Sequence, residues 1–392
     1  MTYTPFTLED LYNKYEGKYK HNLSSACMPA MSLEDLLGFY SKEEQEKITQ
    51  EIFSSKLDYS EQFGLDKVRE ALVSNLYPSL SSENFLLTTG ASEAIFLVMS
   101  SLFEAGDSII VQKPIYQSLY QVAEDRGVRI IDWDLDLETI TWDLGLLDNL
   151  LQQNPSAKAL VINNPNNPVG TVFSEKELCQ ITKLLDGRLL ISDEVFLPIS
   201  LKASKPVSEI YEHGISISDL SKSFNMPGLR LGWIATCHSE RNAKHEVKNP
   251  MQQSKMLSTC IGSFGLSPQD DVLETLSSQK NYLSLRNNSL SEIIAPYLIN
   301  KTSEITAKNK KLIKENIETL YSINPDKLFF DLSQKRESIS NLCFLPKLKK
   351  ELDLDYFLGK DCFLAFGENF GEKYRGFCRL GLANPAKNLI LC

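Results

Sequence analysis

Residues 215–236 read Ile215-Ser216-Ile217-Ser218-Asp219-Leu220-Ser221-Lys222-Ser223-Phe224-Asn225-Met226-Pro227-Gly228-Leu229-Arg230-Leu231-Gly232-Trp233-Ile234-Ala235-Thr236. Two short apolar runs, 215–218 and 232–236, flank a polar turn that carries one lysine and one arginine. Runs this short, bounded by Ser, Asp, Pro and Gly, predict strands. The same unit recurs upstream. A strand at 85–88 leads into Thr89-Gly90-Ala91-Ser92, one at 159–162 ends in an Asn/Pro-rich turn at 163–170, and one at 189–191 ends at Asp193. Further strands are expected at 108–111 and 129–131.

Between these strands the periodicity is helical, at 93–103, 116–126 and 175–185. Short apolar strands spaced by helices predict βαβ units and an α/β fold, a mostly parallel central sheet with helices on both faces. Ligands of such sheets bind beyond the carboxyl ends of the strands. The polar clusters at 89–92, 163–170, 193 and 221–222 each follow a strand, so the topology is expected to gather them in one place. After residue 270 the character changes to a Lys-, Asn- and Glu-rich helical stretch at 282–320 and short strand-like runs at 329–370. This predicts three parts: an N-terminal segment (1–45) on the cleft, a large domain (46–270) and a small α+β domain (271–392). The basic run at 308–314 reads as a solvated helix face.

The chain has 392 residues and a formal charge of −10. An acidic chain lacks the basic footprint that nucleic acid or an anionic membrane surface requires. No apolar stretch approaches the ~18 residues of a membrane span. The eight cysteines are scattered without a CxxC and the four histidines do not cluster with them, which predicts no metal site and free thiols in a reducing cytoplasm.

Taken singly, the polar residues have ordinary readings. Lys222 before Pro-Gly can be a surface lysine, Arg230 a surface ion pair, Asp193 a turn cap, and Tyr116 a core tyrosine. Ala91 and Ser92 can simply open a helix, although the same N–H groups also favour a phosphate. Together they are different. Ser221-Lys222 followed by Pro-Gly-Leu-Arg-x-Gly-Trp resembles the lysine motif of the fold-type I aminotransferases, which depend on pyridoxal 5′-phosphate (PLP).

That resemblance covers roughly residues 55–385. It implies the PLP-dependent transferase fold, with Lys222 holding the cofactor as a Schiff base and acting as general base and acid. It implies Asp193 on the pyridine nitrogen, Asn167 on the phenolic oxygen and Tyr116 against the ring. The phosphate falls to Ala91, Ser92, Ser221 and Arg230, and Arg379 pairs the substrate carboxylate. Tyr59 is implied to reach the phosphate of a neighbouring subunit, giving a homodimer with shared sites acting on a small amino acid.

Two positions depart from the family pattern. Phe196 stands where a tyrosine usually donates to the phenolic oxygen, and Asp219 stands where a Ser or Thr usually faces the phosphate. An ionised Asp219 would repel a phosphate unless backbone N–H groups satisfy it. The order Leu8-Glu9-Asp10-Leu11, Asn22-Leu23-Ser24-Ser25-Ala26 and Ser32-Leu33-Glu34-Asp35-Leu36 is similar to the opening of the capreomycidine-synthase and enduracididine-forming enzymes of natural-product biosynthesis. It implies a hydroxyarginine cyclase, with Glu9 on the guanidinium and Ser24 and Ser25 in the pocket. Glu9 reads equally as a solvated first-turn acid. The competing expectations are an ordinary aminotransferase of an L-amino acid and a non-catalytic binding module built on the same fold.

Overall fold

The computed structural model describes residues 3–237, 272–332, 336–384 and 388. The chain opens with α1 (Thr7–Tyr15), β1 (His21–Asn22), α2 (Leu33–Leu37), α3 (Lys42–Ser54) and α4 (Asp66–Asn75). The alternating region follows: β2 (Phe85–Thr88), α5 (Ala91–Ser101), β3 (Ser108–Lys113), α6 (Ser118–Glu124), β4 (Arg129–Asp134), α7 (Leu144–Gln153), β5 (Ala157–Asn163) and α8 (Glu175–Leu185). It closes with β6 (Leu189–Asp193), α9 (Val207–Ile210), β7 (Gly214–Asp219) and β8 (Gly232–Thr236).

These strands form one seven-stranded sheet in the order β2-β8-β7-β6-β5-β3-β4. Six strands run the same way, and β8 alone is antiparallel to both its neighbours. The fold class is therefore α/β with a mostly parallel sheet flanked by helices. Side-chain alternation divides the core cleanly. Ile109, Val111, Val161 and Ile191 pack on the α5 and α6 side. Ile110, Leu160, Ile162 and Leu190 pack on the α7 and α8 side with Trp133, Leu147 and Leu178. Both faces are buried, which is why the strands read as continuous apolar runs.

The expected helix at 116–126 is shorter, since α6 starts only at Ser118. Pro114, in the turn after β3, keeps the chain extended there, which leaves Tyr116 outside the helix.

Beyond residue 271 come α10 (Val272–Lys280), α11 (Ser289–Ile299), α12 (Thr302–Ser322), β9 (Cys343–Phe344), α13 (Leu354–Leu358), β10 (Cys362–Phe363), β11 (Ala365–Phe366) and β12 (Cys378–Gly381). The last strands form a three-stranded sheet, β11-β12-β9, while β10 pairs in parallel with β1. The expected domain boundary at 270/271 lies outside the described residues, as do Cys260 and Cys392. No helix among the described residues is long and apolar enough to cross a membrane.

The free-thiol expectation needs correction at one position. Cys362 is disulfide-bonded, whereas Cys27, Cys179, Cys237, Cys343 and Cys378 are free. Sequence spacing offered no sign of this bond, because pairing depends on where distant strands meet.

Candidate active site

The carboxyl ends of β2, β3, β5, β6 and β7 open on one cavity of about 270 Å³. Its wall includes Ala91 and Ser92 after β2, Tyr116 after β3, Asn167 after β5, Asp193 and Phe196 at and after β6, and Ser221 and Lys222 after β7. Arg230, just before β8, and Arg379, on β12, complete it from the far side of the turn and from the C-terminal sheet. The strand-end clusters thus meet as the parallel topology requires.

Asp193 is 5% exposed and its carboxylate accepts a hydrogen bond from Val195 N at 3.2 Å. Burial, with the Asp219 charge adding to it, raises its pKa to about 7 against the pull of Lys222. Such a buried carboxyl group fits a cationic N–H donor of a ligand. The Asn163 side chain braces this point from β5: Nδ2 donates to Asp193 O at 2.9 Å, and Oδ1 accepts from Asn167 N at 2.7 Å.

Lys222 Nζ donates to Cys27 Sγ at 2.8 Å. Burial disfavours its ammonium, but the Cys27 sulfur and the Asp219 carboxylate more than offset this and hold the amine above the ordinary lysine range.

The anion cradle is a matter of close backbone approach. Gly90, at φ +79°, opens α5, and a Cβ there would stand 2.4 Å from Arg230 Nη2. Arg230 itself adopts a left-handed conformation, φ 49° and ψ 49°, and its Nη1 donates to Pro227 O at 3.2 Å. Asp219 is turned into this region yet satisfied. Its Oδ1 accepts from Ser221 N and its Oδ2 from Ser221 Oγ, both at 2.8 Å, with Ala91 N at 3.4 Å. Local N–H and O–H donors therefore disperse the charge that would otherwise oppose a phosphate.

Phe196 is 2% exposed and lines the cavity with a bare ring. Tyr116 donates from its hydroxyl to Glu9 Oε1 at 2.7 Å, and burial together with that carboxylate pushes its ionisation far above the usual range. Glu9 reaches the cavity from α1, with Tyr12 three residues on along the same helix face, and Glu16, the extended residue that ends the helix, lines it as well.

Arg379 is 4% exposed. It donates to Asn167 Oδ1 at 3.0 Å, Ser24 O at 3.1 Å and Tyr12 Oη at 2.5 Å. None of these acceptors is a carboxylate.

Two expected residues fall elsewhere. Ser24 does not line the cavity: its hydroxyl donates to Arg379 O at 2.6 Å and accepts from Ala365 N at 2.7 Å, tying the N-terminal segment to β11 and β12. Ser25 does line it. Tyr59 is 79% exposed and outside the cavity. Cys27, Tyr12 and Glu16 belong to the site but were missed. A signal existed for Tyr12, since it lies three residues from Glu9 on one helical face.

Residues 20–323 match the family model "Aminotransferase class I and II". The histidinol-phosphate aminotransferase of Buchnera aphidicola subsp. Diuraphis noxia is 30% identical over 247 residues, 61% of this chain and 63% of that protein. The chain spans 51–63% of the length of the curated relatives it matches first. Two solved structures share the fold over all of this chain and 96% of theirs: a PLP-dependent aminotransferase from Streptococcus suis 89-1591 (TM-score 0.82, 24% identity) and the PLP-dependent cyclase OrfR (TM-score 0.78, 20% identity).

Proposed function

Because the chain belongs to the class I and II aminotransferase family, we propose that it is a cyclase that removes water from a hydroxylated L-arginine and closes a guanidino nitrogen onto the carbon chain, giving a capreomycidine- or enduracididine-type product. The family's cofactor is PLP; when bound, it supplies an aldehyde for amines and a ring that accepts electrons from the substrate's Cα. The residues present fit it. Lys222 Nζ would hold the aldehyde carbon and Asp193 the ring nitrogen. Asn167 would meet the phenolic oxygen and Tyr116 the ring face. The α5 N-terminus, Ser92, Ser221 and Arg230 would hold the phosphate.

One observation carries the choice of substrate: at the outer cavity wall, Arg379, Glu9 and Glu16 stand without an opposite charge in contact among the described residues. Among the described residues, Arg379 is a buried guanidinium with no carboxylate in hydrogen-bond contact, and Glu9 and Glu16 have no cation in ion-pair contact. An amino acid whose side chain ends in a guanidinium supplies both missing partners, since each carboxylate and guanidinium pair in parallel N–H···O bonds. Lys222 takes the proton from the substrate's Cα. Phe196 leaves the phenolic oxygen without the hydroxyl donor that ordinary aminotransferases place there, consistent with chemistry that diverges from amino-group transfer.

Incubation with 3- or 4-hydroxy-L-arginine should yield a cyclic guanidino acid. A keto acid formed with ordinary amino donors, and no cyclic product, would overturn the proposal. An aminotransferase is the second reading, favoured by the names of the curated relatives. It requires the cofactor to convert fully to its amine form in a half-reaction with an amino acid.

The protein is further proposed to be a homodimer. Tyr59 stands exposed with Phe53 and Leu57, at 79%, 86% and 71%, an apolar surface suited to a second copy. The division into an N-terminal segment, a large and a small domain is retained as part of the same proposal.

A further inference from the structure

Asn163 is the last residue of β5 and pairs in the parallel ladder with Asp193, the last residue of β6. It is 1% exposed and does not line the cavity that Lys222 lines; it belongs instead to the wall of a neighbouring one of about 640 Å³. Its carboxamide bonds in two directions. Nδ2 donates to Asp193 O at 2.9 Å, where Asn164 N also donates at 2.9 Å. Oδ1 accepts from Asn167 N at 2.7 Å. One buried side chain thus ties the backbone of the residue that would meet the ring nitrogen to the backbone of the residue that would meet the phenolic oxygen.

Asn163 is itself held in place. Gln112, fully buried on β3, accepts at Oε1 from Asn163 N at 2.9 Å and from Asn166 Nδ2 at 3.3 Å. Asn166 Nδ2 also donates to Pro114 O at 3.1 Å, two residues ahead of Tyr116. The peptide between Asn166 and Asn167 is gripped at both ends, since Asn341 Nδ2 donates to its carbonyl at 2.9 Å while Asn163 takes its N–H. Beyond that peptide, Asn167 Oδ1 accepts from Arg379 Nη1 at 3.0 Å, which leaves Nδ2 as the end that can donate to an oxygen.

We propose that Asn163 is a positioning residue: it sets the spacing between Asp193 and Asn167 into which a pyridine ring must fit, and so holds the ring in one orientation without touching it. The inference rests on the assignment of Asp193 and Asn167 to the ring of PLP. Groups that contact a cofactor perform only when supporting hydrogen bonds hold them to within about 0.5 Å. Asparagine suits the task because its planar amide donates and accepts at once. An ionised aspartate could not donate to Asp193 O, and an apolar residue of similar size would leave Asn167 N buried without its acceptor.

The test is a titration of PLP into the cofactor-free full chain, followed by near-visible absorbance and by circular dichroism of the same band. Asn163→Ala should bind PLP about tenfold more weakly, the scale of one net buried hydrogen bond. Its dichroism per bound cofactor should fall, because a ring free to tilt loses its fixed asymmetric surroundings. Asn84 is the control for a purely structural loss. It is also 1% exposed, its Nδ2 donates to Cys237 O at 3.1 Å, and it stands outside the wall of the Lys222 cavity. Asn84→Ala should lower the denaturation midpoint yet leave affinity and dichroism at their wild-type values. Where Asn163→Ala does not fold, Asn163→Ser keeps a shorter polar group and should move both readouts in the same direction by less. Wild-type affinity or wild-type dichroism in the folded Asn163 variant, or an equal change in Asn84→Ala, overturns the proposal. Failure of the underlying assignment looks different, since the wild-type chain would then give no near-visible band with PLP.

Discussion

Arg379 Nη1 donates to Asn167 Oδ1 at 3.0 Å, joining the C-terminal sheet to the turn after β5 directly across the cavity. The contact orients the guanidinium, which meets no carboxylate among the described residues. Arg379→Ala should raise KM for the amino acid about 100-fold, the scale of one lost charge-assisted contact of ~3 kcal/mol. Arg379→Lys should recover only part, because an ammonium lacks the planar fork. Steady-state kinetics checks both, and an unchanged KM in the alanine variant would remove Arg379 from substrate binding.

Replacing Lys222 by Ala should abolish the near-visible absorbance seen when PLP is added and lower turnover about 10³-fold or more. A spectrophotometric titration and a product assay on the same sample suffice. Full turnover in this variant would return the lysine to the surface-residue reading.

Glu9→Gln removes charge but retains the bond from Tyr116. KM for hydroxyarginine should rise about tenfold, while an amino acid without a cationic side chain should be unaffected. Equal effects on both substrates would show that Glu9 acts through Tyr116 and not on a guanidinium.

Phe196→Tyr places a hydroxyl at the cavity wall. The ratio of keto acid to cyclic product, read by mass spectrometry, should move toward the keto acid. An unaltered ratio would mean that the missing donor does not govern the outcome.

Stability should fall with rising pH in the cofactor-free protein. Burial lifts Asp193 to about 7 and Glu194 to about 8, both above ordinary carboxylates. A value raised on folding means stability that is full below about pH 4 and is lost as pH climbs through 7 and 8. Glu194→Gln should flatten this slope by at most about 1.4 kcal/mol per pH unit. Denaturant unfolding at three pH values measures it, and parallel profiles for the two proteins would count against it.

Much of the site was legible because parallel topology converts position in sequence into position in space. A polar residue just after an apolar run, as at Asp193 or Asn167, must sit at the same edge of the sheet as Lys222. Arg230 was legible because only a few residues of one turn separate it from the lysine. Strand β8 was placed by its apolar run, but its antiparallel direction depends on a turn that bends back, which periodicity does not encode. Cys27 was invisible for another reason. It lies 195 residues from Lys222 and depends on β1, whose two residues are too short to register as a strand. Ser24 was recognised as noteworthy but misread, since a buried hydroxyl that fastens two backbone groups looks no different in sequence from one that faces a ligand.

The parallel pairing of β1 with β10 also dictates the order in which the site can be made. A chain emerging from the ribosome that has delivered β8 already carries Lys222, Asp193 and Asn167 at adjoining strand ends. The strands that seat Cys27 and supply Arg379 are still unsynthesised. The segment that carries β1 and Cys27 must therefore wait for β10 before it finds its place, long after the strand ends of the central sheet can meet.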